Sequence, residues 1–327
     1  MSAPQTAECH CLFSDGSTLR VTATRRAREG RADVKCSVRA QPELAERMQQ
    51  VVRLARHTET RSDSRDQVVL SMDRAPRDRG WELAAVLADR MVRGQLPARA
   101  LVANGWSDEW HLGRLAGHTL KTAPAHVLLG GPDGLPHLGV LTGQPDAAGA
   151  VSSARTWFPL HSGGRHDSMD WVEVSVYPAD GAEEEGSVTV PELDLAGQDA
   201  VRRVLAGARH FDGGRRSWRT TVRFGQPRFQ GNSFELALVL ADRIARGREF
   251  LPRGRILASG ASSAWHAGRV EAVEGIAAKC ALLLLEAAPG DRVLLPRACE
   301  AQLPAGFGDR LRERGASLAS VERIGII

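Results

Sequence analysis

Lysine is nearly absent from this chain. Lys35, Lys121 and Lys279 are the only three among 43 basic residues, and the rest are arginine. A drift of that size has replaced lysine almost wherever a generic positive charge suffices. Arginine stays protonated in a protein, whereas a buried lysine can lose its proton, so each survivor merits inspection. An excess of charge of one sign is also missing. The 43 basic and 39 acidic residues leave a formal +4 over 327 residues, which argues against nucleic acid or a membrane surface as partner. The pairs Arg25–Arg26, Arg202–Arg203 and Arg215–Arg216 read as solvated faces. No apolar run approaches the roughly 18 residues of a spanning helix; the stretch from Cys280 to Leu285 is core-sized. The first residues show no basic region followed by an apolar one, so no export signal is expected. The five cysteines, Cys9, Cys11, Cys36, Cys280 and Cys299, are odd in number and irregularly spaced. That argues against a disulfide framework and for the reduced thiols of a cytoplasmic protein. Cys9 and Cys11 flank His10 without the second ligand pair that structural zinc requires, and read as ordinary thiols near a loosely held terminus. No lysine follows a glycine, so there is no P-loop, and no cofactor or metal is expected.

What is present is a repeat. Glu82 to Gly94 reads ELAAVLADRMVRG and Glu235 to Gly247 reads ELALVLADRIARG, identical at ten of thirteen positions with an offset of 153. The same offset pairs Arg56 and His57 with Arg209 and His210. Two residues then enter the second copy, and at an offset of 155 Leu96-Pro97 pairs with Leu251-Pro252, Gly105 with Gly260, Trp110-His111 with Trp265-His266, and Gly113-Arg114 with Gly268-Arg269. One order and one spacing imply two copies of one fold. A polar, glycine-bearing stretch at 161–168 reads as the hinge, placing domain one at 1–163 and domain two at 164–327. Residues 183–186 read as a solvated turn, and 131–150 as a long loop or irregular hairpin particular to copy one.

In copy two, alternation predicts strands at Trp171–Tyr177 and Trp218–Phe224. Helical spacing predicts helices at Asp199–Arg209, Ser233–Arg246, Gly275–Ala287 and Phe307–Gly315. Arg255–Ala258, Gly268–Val273, Asp291–Pro296 and Ala316–Ile324 read as further strands. The interleaving predicts a mixed α/β (α+β) class with helices packed on a sheet.

Gln230, Gly231, Asn232 and Ser233 end a loop and open a helix. Ser233 reads either as an N-cap or, with Gly231 allowing a tight turn, as a nucleophile backed by free helix N–H groups. A serine hydroxyl needs a base. His210 and His266 recur in copy one as His57 and His111, although copy one has Gly80 where copy two has Ser233; they read as structural. Lys279 stands on an apolar helix between Ala278 and Cys280. Such surroundings lower an amine's pKa and fit it to act as a neutral base, and Ser–Lys pairs are a known variant of the nucleophile–base arrangement.

The stretches GNSFELALVLAD, ILASG, AGRVEAVEGIAAKCALLLLEA and GDRVLLP, in this order, resemble the proteolytic domain of Lon-type Ser–Lys peptidases over Gly231 to Pro296. That family has a G-x-S turn opening a helix, a strand ending in Thr-Gly, a Gly-x-Val strand, a helix bearing the lysine with Gly-Gly two or three residues before it, and a strand into Val-Leu-(Ile/Leu)-Pro. The resemblance implies the ribosomal protein S5 domain 2-like fold for both copies, Ser233 as nucleophile, Lys279 as base and Ser259 as the hydroxyl that orients the amine. Lys279 stands eleven positions after Gly268, the family's spacing. This chain departs from the pattern at Phe234 and Glu235, where two small residues are usual, at Gln230, where Asp is usual, and in two extra residues between Gly260 and Gly268. A buried carboxylate beside Lys279 would keep it charged. Glu82 repeats Glu235 in copy one and marks it as an element of the fold.

Copy one carries Gly80, Trp81 and Asn104 in place of Ser233, Phe234 and Ser259, and Lys121 is three residues off register, so it reads as non-catalytic. Lys35 reads as a solvated charge. Two functions follow. One is an ATP-independent Lon-like serine endopeptidase acting on a specific protein partner, or served by an AAA+ ATPase in trans. The other is a pseudo-peptidase used as a binding or assembly module. Family members form rings, so homo-oligomerisation is an expectation of the resemblance.

Overall fold

The computed structural model describes residues 5–27, 34–38, 41–59, 66–117, 126–143, 151–161, 167–179, 187–213, 217–226, 229–247 and 254–326. The chain forms two compact units, Met1–Ser152 and Ser153–Ile327, and the class is mixed α/β.

The first unit runs β1 (Thr6–Leu12), β2 (Thr18–Ala27), β3 (Val34–Ser37), α1 (Pro42–Ala55), β4 (Asp66–Met72), α2 (Trp81–Val92), β5 (Leu101–Asn104) and β6 (Val127–Leu129). Its sheet order is β3-β4-β2-β1-β5-β6. β1 pairs antiparallel with β2, with Cys9 opposite Val21, and parallel with β5, with Cys9 beside Leu101. Cys9 and Cys11 are therefore core residues of a central strand, fully buried, which corrects their placement near a loose end. Their alternation with exposed or half-buried neighbours is that of a strand with one face on the core. Burial pushes the Cys9 thiol up to about 12, partly offset by a backbone hydrogen bond from His10, so it is a poor nucleophile.

The second unit runs β7 (Ser152–Leu160), β8 (Ser168–Pro178), β9 (Val188–Thr189), α3 (Leu195–Asp212), β10 (Trp218–Phe224), α4 (Glu235–Ala245), β11 (Ile256–Ala258), α5 (Ile276–Glu286), β12 (Arg292–Pro296), α6 (Phe307–Glu313) and β13 (Ser317–Val321). Its order, β9-β10-β8-β7-β11-β12-β13, repeats that of the first unit and adds one strand. The repeat extends to packing. The buried positions of α1, Met48, Val51, Val52 and Ala55, recur in α3 as Val201, Val204, Leu205 and Ala208.

Two expectations are corrected. The division falls after Ser152, not after residue 163, because β7 belongs to the second sheet, between β8 and β11. The polar stretch 161–168 joins two neighbouring strands of one sheet rather than two domains. Gly268–Val273 is not a strand: only single bridges, Arg269 to Arg323 and Glu271 to Ala261, hold it. A three-residue 3-10 turn spans Trp265–Ala267, and Gly268 follows it at φ +68°. Residues 131–143 include a 3-10 turn, Leu138–Thr142. Lys121, Leu251, Pro252, Arg215, Arg216, 144–150 and 183–186 lie outside the described residues.

The arginine-rich composition has a structural use. Asp242 on α4 is fully buried and accepts from Arg209 Nε at 3.2 Å and Arg246 Nε at 2.8 Å. Arg246 also pairs with Asp212. The first unit holds the same web: Asp89 pairs with Arg56 and Arg93, and Arg93 with Glu59 at 2.7 Å. Burial alone would raise the Asp242 pKa, but the two guanidiniums hold it below the ordinary carboxylate value. These webs tie α1 to α2 and α3 to α4. Planar, always-charged guanidinium is the cation suited to such buried forks.

Candidate functional site

β7, β11 and β12 are mutually parallel neighbours, so their C-terminal ends share one edge of the sheet. Both helices of interest start there. Gly260, just past β11, donates its N–H to the Ser233 carbonyl at 3.1 Å and accepts from Leu236 N at 3.0 Å. That staple fixes the start of α4. At the other helix, the Cα of Gly275, which precedes α5, packs against His161 just past β7. Open α/β sheets bind ligands at this strand edge.

Ser233 is half-buried and stands one residue before the N-cap position, which is Phe234. No side chain caps α4, so Ser233 is not an N-cap serine. Gly231 adopts φ +88°, a conformation natural only to glycine, and makes the tight turn that precedes the serine. The N–H groups of Glu235 and Leu236 are engaged by the carbonyls of Asn232 and Gly260. Those two donors are therefore occupied, contrary to the expectation of a free helix start. Ser259 is fully buried beside Ser233, its hydroxyl donating to the Ser233 carbonyl at 3.5 Å rather than to an amine.

Lys279 lies in the first turn of α5 and is 5 % exposed. Among the described residues its amine makes no hydrogen bond or ion pair, whether to Ser233, Ser259 or a carboxylate. Removal from water lowers its pKa from the ordinary lysine value, while the Cys299 thiol and Glu274 pull the other way. Ser233 and Ser259 are thus brought together, and Lys279 is placed at the same sheet edge without a bond to either.

The two bulky departures after Ser233 have their own uses. Phe234 is buried in a cluster with Phe229, Phe224 and Phe158, at ring separations of 5.1, 5.5 and 6.2 Å. Glu235 does not touch Lys279. Its Oε2 accepts from Trp265 Nε1 at 2.8 Å and from Ser262 N at 3.0 Å. Glu82 makes the matching bonds to Trp110 Nε1 at 2.7 Å and Ser107 N at 3.4 Å. In both units the glutamate pins the loop after β5 or β11 to the helix start, as its repetition suggested. A cleft of about 620 Å³ lies between the segment 192–200 and Phe229, Gln230, Gly231 and Phe234; neither Ser233 nor Lys279 lines it.

In the first unit the corresponding space is filled. A Cβ on Gly80 would lie 2.3 Å from Asn104 Nδ2, and that amide donates to the Leu12 carbonyl at 2.8 Å. Among the described residues no cluster of three His, Cys, Asp or Glu is arranged to hold a metal ion, and no helix is long and apolar enough to cross a membrane. No protein-family model matches the chain, and no curated protein matches it.

Proposed function

We propose that the second unit is a Lon-like Ser–Lys endopeptidase on an S5 domain 2-like fold, and that the first is its non-catalytic partner. The observation that carries this reading is Lys279: a buried, desolvated amine that makes no ion pair among the described residues and whose pKa is lowered despite Glu274 and Cys299, at the sheet edge where Ser233 also stands. A lysine kept unpaired in the interior costs stability, and in a chain with three lysines that cost asks for a use.

In the reaction, neutral Lys279 takes the Ser233 hydroxyl proton as Oγ attacks the scissile carbonyl. The protonated amine then gives that proton to the departing peptide nitrogen, leaving a seryl ester. Water, giving its proton to the same amine, attacks the ester, and the protonated amine returns that proton to Ser233 Oγ as the acyl group leaves as a carboxylic acid. Ser259 steers the amine once a substrate seats, which requires its hydroxyl to leave the Ser233 carbonyl. The chain has no P-loop, so any unfolding of the substrate falls to an ATPase in trans.

A second reading, the pseudo-peptidase module, draws on the missing Ser233–Lys279 bond and on the occupied N–H groups of Glu235 and Leu236. One experiment separates them. The protein and its Ser233→Ala variant are incubated with candidate partner proteins and the products mapped by mass spectrometry. Cleavage lost in the variant, at an unchanged melting temperature, supports the peptidase. Equal cleavage, or partner binding by both forms without cleavage, overturns it.

A further inference from the structure

In the first unit, the glutamate that pins the loop is also a receptor for guanidinium. Arg79 clasps Glu82 through Nε at 2.8 Å and a terminal nitrogen at 3.3 Å. Arg47 does so at 3.1 and 3.3 Å. Both also donate to the Ser107 carbonyl, at 2.7 and 3.4 Å. Glu82 is consequently fully buried.

The second unit keeps the receptor and lacks both arginines. At the offset of 153, Ala200 stands for Arg47 and Asn232 for Arg79; Glu235, Ser262 and Trp265 stand for Glu82, Ser107 and Trp110. The space vacated is a pocket of about 290 Å³ whose lining includes Ala200, Glu235, Ser262 and Trp265. Glu235 is 9 % exposed, and among the described residues its Oε1 accepts no hydrogen bond. Arg203 lines the same pocket and its charge acts on Glu235, but the two make no ion pair among the described residues.

We propose that this pocket binds a guanidinium group supplied from outside the chain, an arginine side chain of a partner or a small guanidino compound, with Glu235 Oε1 and the Ser262 carbonyl as its acceptors. A planar fork meets a carboxylate edge-on, as in the first unit, and a point-like ammonium does so less well. The proposal holds whether or not Ser233 is a nucleophile.

The readout is the indole N–H resonance of Trp265, which reports directly on Glu235 and is assigned with Trp265→Phe. Nα-acetyl-arginine methylamide is titrated against its norleucine analogue, with agmatine as the small guanidino arm. The expected result is a saturable shift with the arginine compound and none with norleucine. Glu235→Gln, which keeps acceptors for Trp265 and Ser262, loses about tenfold or more in affinity. Ala200→Arg with Asn232→Arg, which refills the pocket as in the first unit, abolishes the shift. Tighter binding of the peptide-like compound assigns the site to a protein partner; tighter binding of agmatine assigns it to a small molecule. No shift with either, as when Arg203 itself swings onto Glu235, or an equal shift with norleucine or in Glu235→Gln, overturns the proposal.

Discussion

Gly80 and Asn104 exclude each other's side chains: a Cβ at position 80 would sit 2.3 Å from Asn104 Nδ2. The backbone around them matches that around Ser233 and Ser259, with Gly105 N on the Gly80 carbonyl at 2.9 Å and Gly260 N on the Ser233 carbonyl at 3.1 Å. The two units thus share a frame and differ in what fills it. Gly80 has φ −55°, which any residue adopts, so its side chain is missing for lack of room and not for backbone freedom.

This predicts that Gly80→Ser destabilises the chain by about 1–3 kcal/mol, the usual cost of overpacking. Adding Asn104→Ser opens the space and recovers part of the loss. Urea unfolding of the two single variants and the double variant gives the coupling; strict additivity would show that the two positions do not compete.

The buried web around Asp242 sets the acid limit. Its folded pKa is depressed, so the stability it contributes is present above the unfolded carboxylate value near 4 and is lost as pH falls through the folded value. Asp242→Asn leaves Arg209 and Arg246 facing a neutral amide and costs about 3–5 kcal/mol at pH 7. The cost shrinks as the wild type is acidified below about pH 4. Thermal melts of both proteins between neutral and acid pH test this; parallel curves would remove Asp242 from the acid transition.

Lys279 loses stability in the same direction, as pH falls, but from the opposite cause: burial of its charge without an ion-pair partner among the described residues. Its folded pKa lies below the unfolded lysine value near 10.4, so its stability contribution is full above that value and is lost as pH falls through the folded one. Lys279→Met is therefore more stable than wild type at pH 7, by an amount that closes as pH approaches about 10. The same variant should be inactive in any cleavage assay. A gain in stability with loss of activity marks a residue kept for chemistry; a loss of stability would make Lys279 part of the packing.

Much of the fold was legible because its signals are local. The alternation of Trp171–Tyr177 and the apolar stripe of α3 each read one face of one element. β7 was misassigned because nothing local says which sheet an alternating strand joins; its partners β8 and β11 do. Cys9 and Cys11 looked peripheral because they are near the start of the chain, whereas β1 pairs on both edges. At the site, the resemblance assigned Ser259 to the Lys279 amine, whereas its hydroxyl bonds the Ser233 carbonyl. The engagement of Glu235 with Trp265 depends on a loop conformation that composition does not encode. The buried arginine webs carried a signal in the repeat itself, since Arg56, Asp89 and Arg93 recur as Arg209, Asp242 and Arg246.

The sharpest contrast is between the two glutamates. Glu82→Gln leaves two guanidiniums without their shared carboxylate, and should cost about 1–3 kcal/mol given that both arginines are partly solvated. Glu235 has no paired guanidinium among the described residues; Arg203 acts on it only at longer range. Burial raises its pKa, with the bonds from Trp265 and Ser262 and the charge of Arg203 acting the other way. A raised carboxyl pKa means that its stability contribution is present below the unfolded value near 4.3 and is lost as pH rises through the folded value. Glu235→Gln should therefore raise the melting temperature at pH 7 and converge on wild type near pH 4. The same substitution in the same motif thus has opposite signs in the two units. Melting curves of both variants across pH decide it, and destabilisation of equal size in both would mean that Glu235 is already neutralised within the chain.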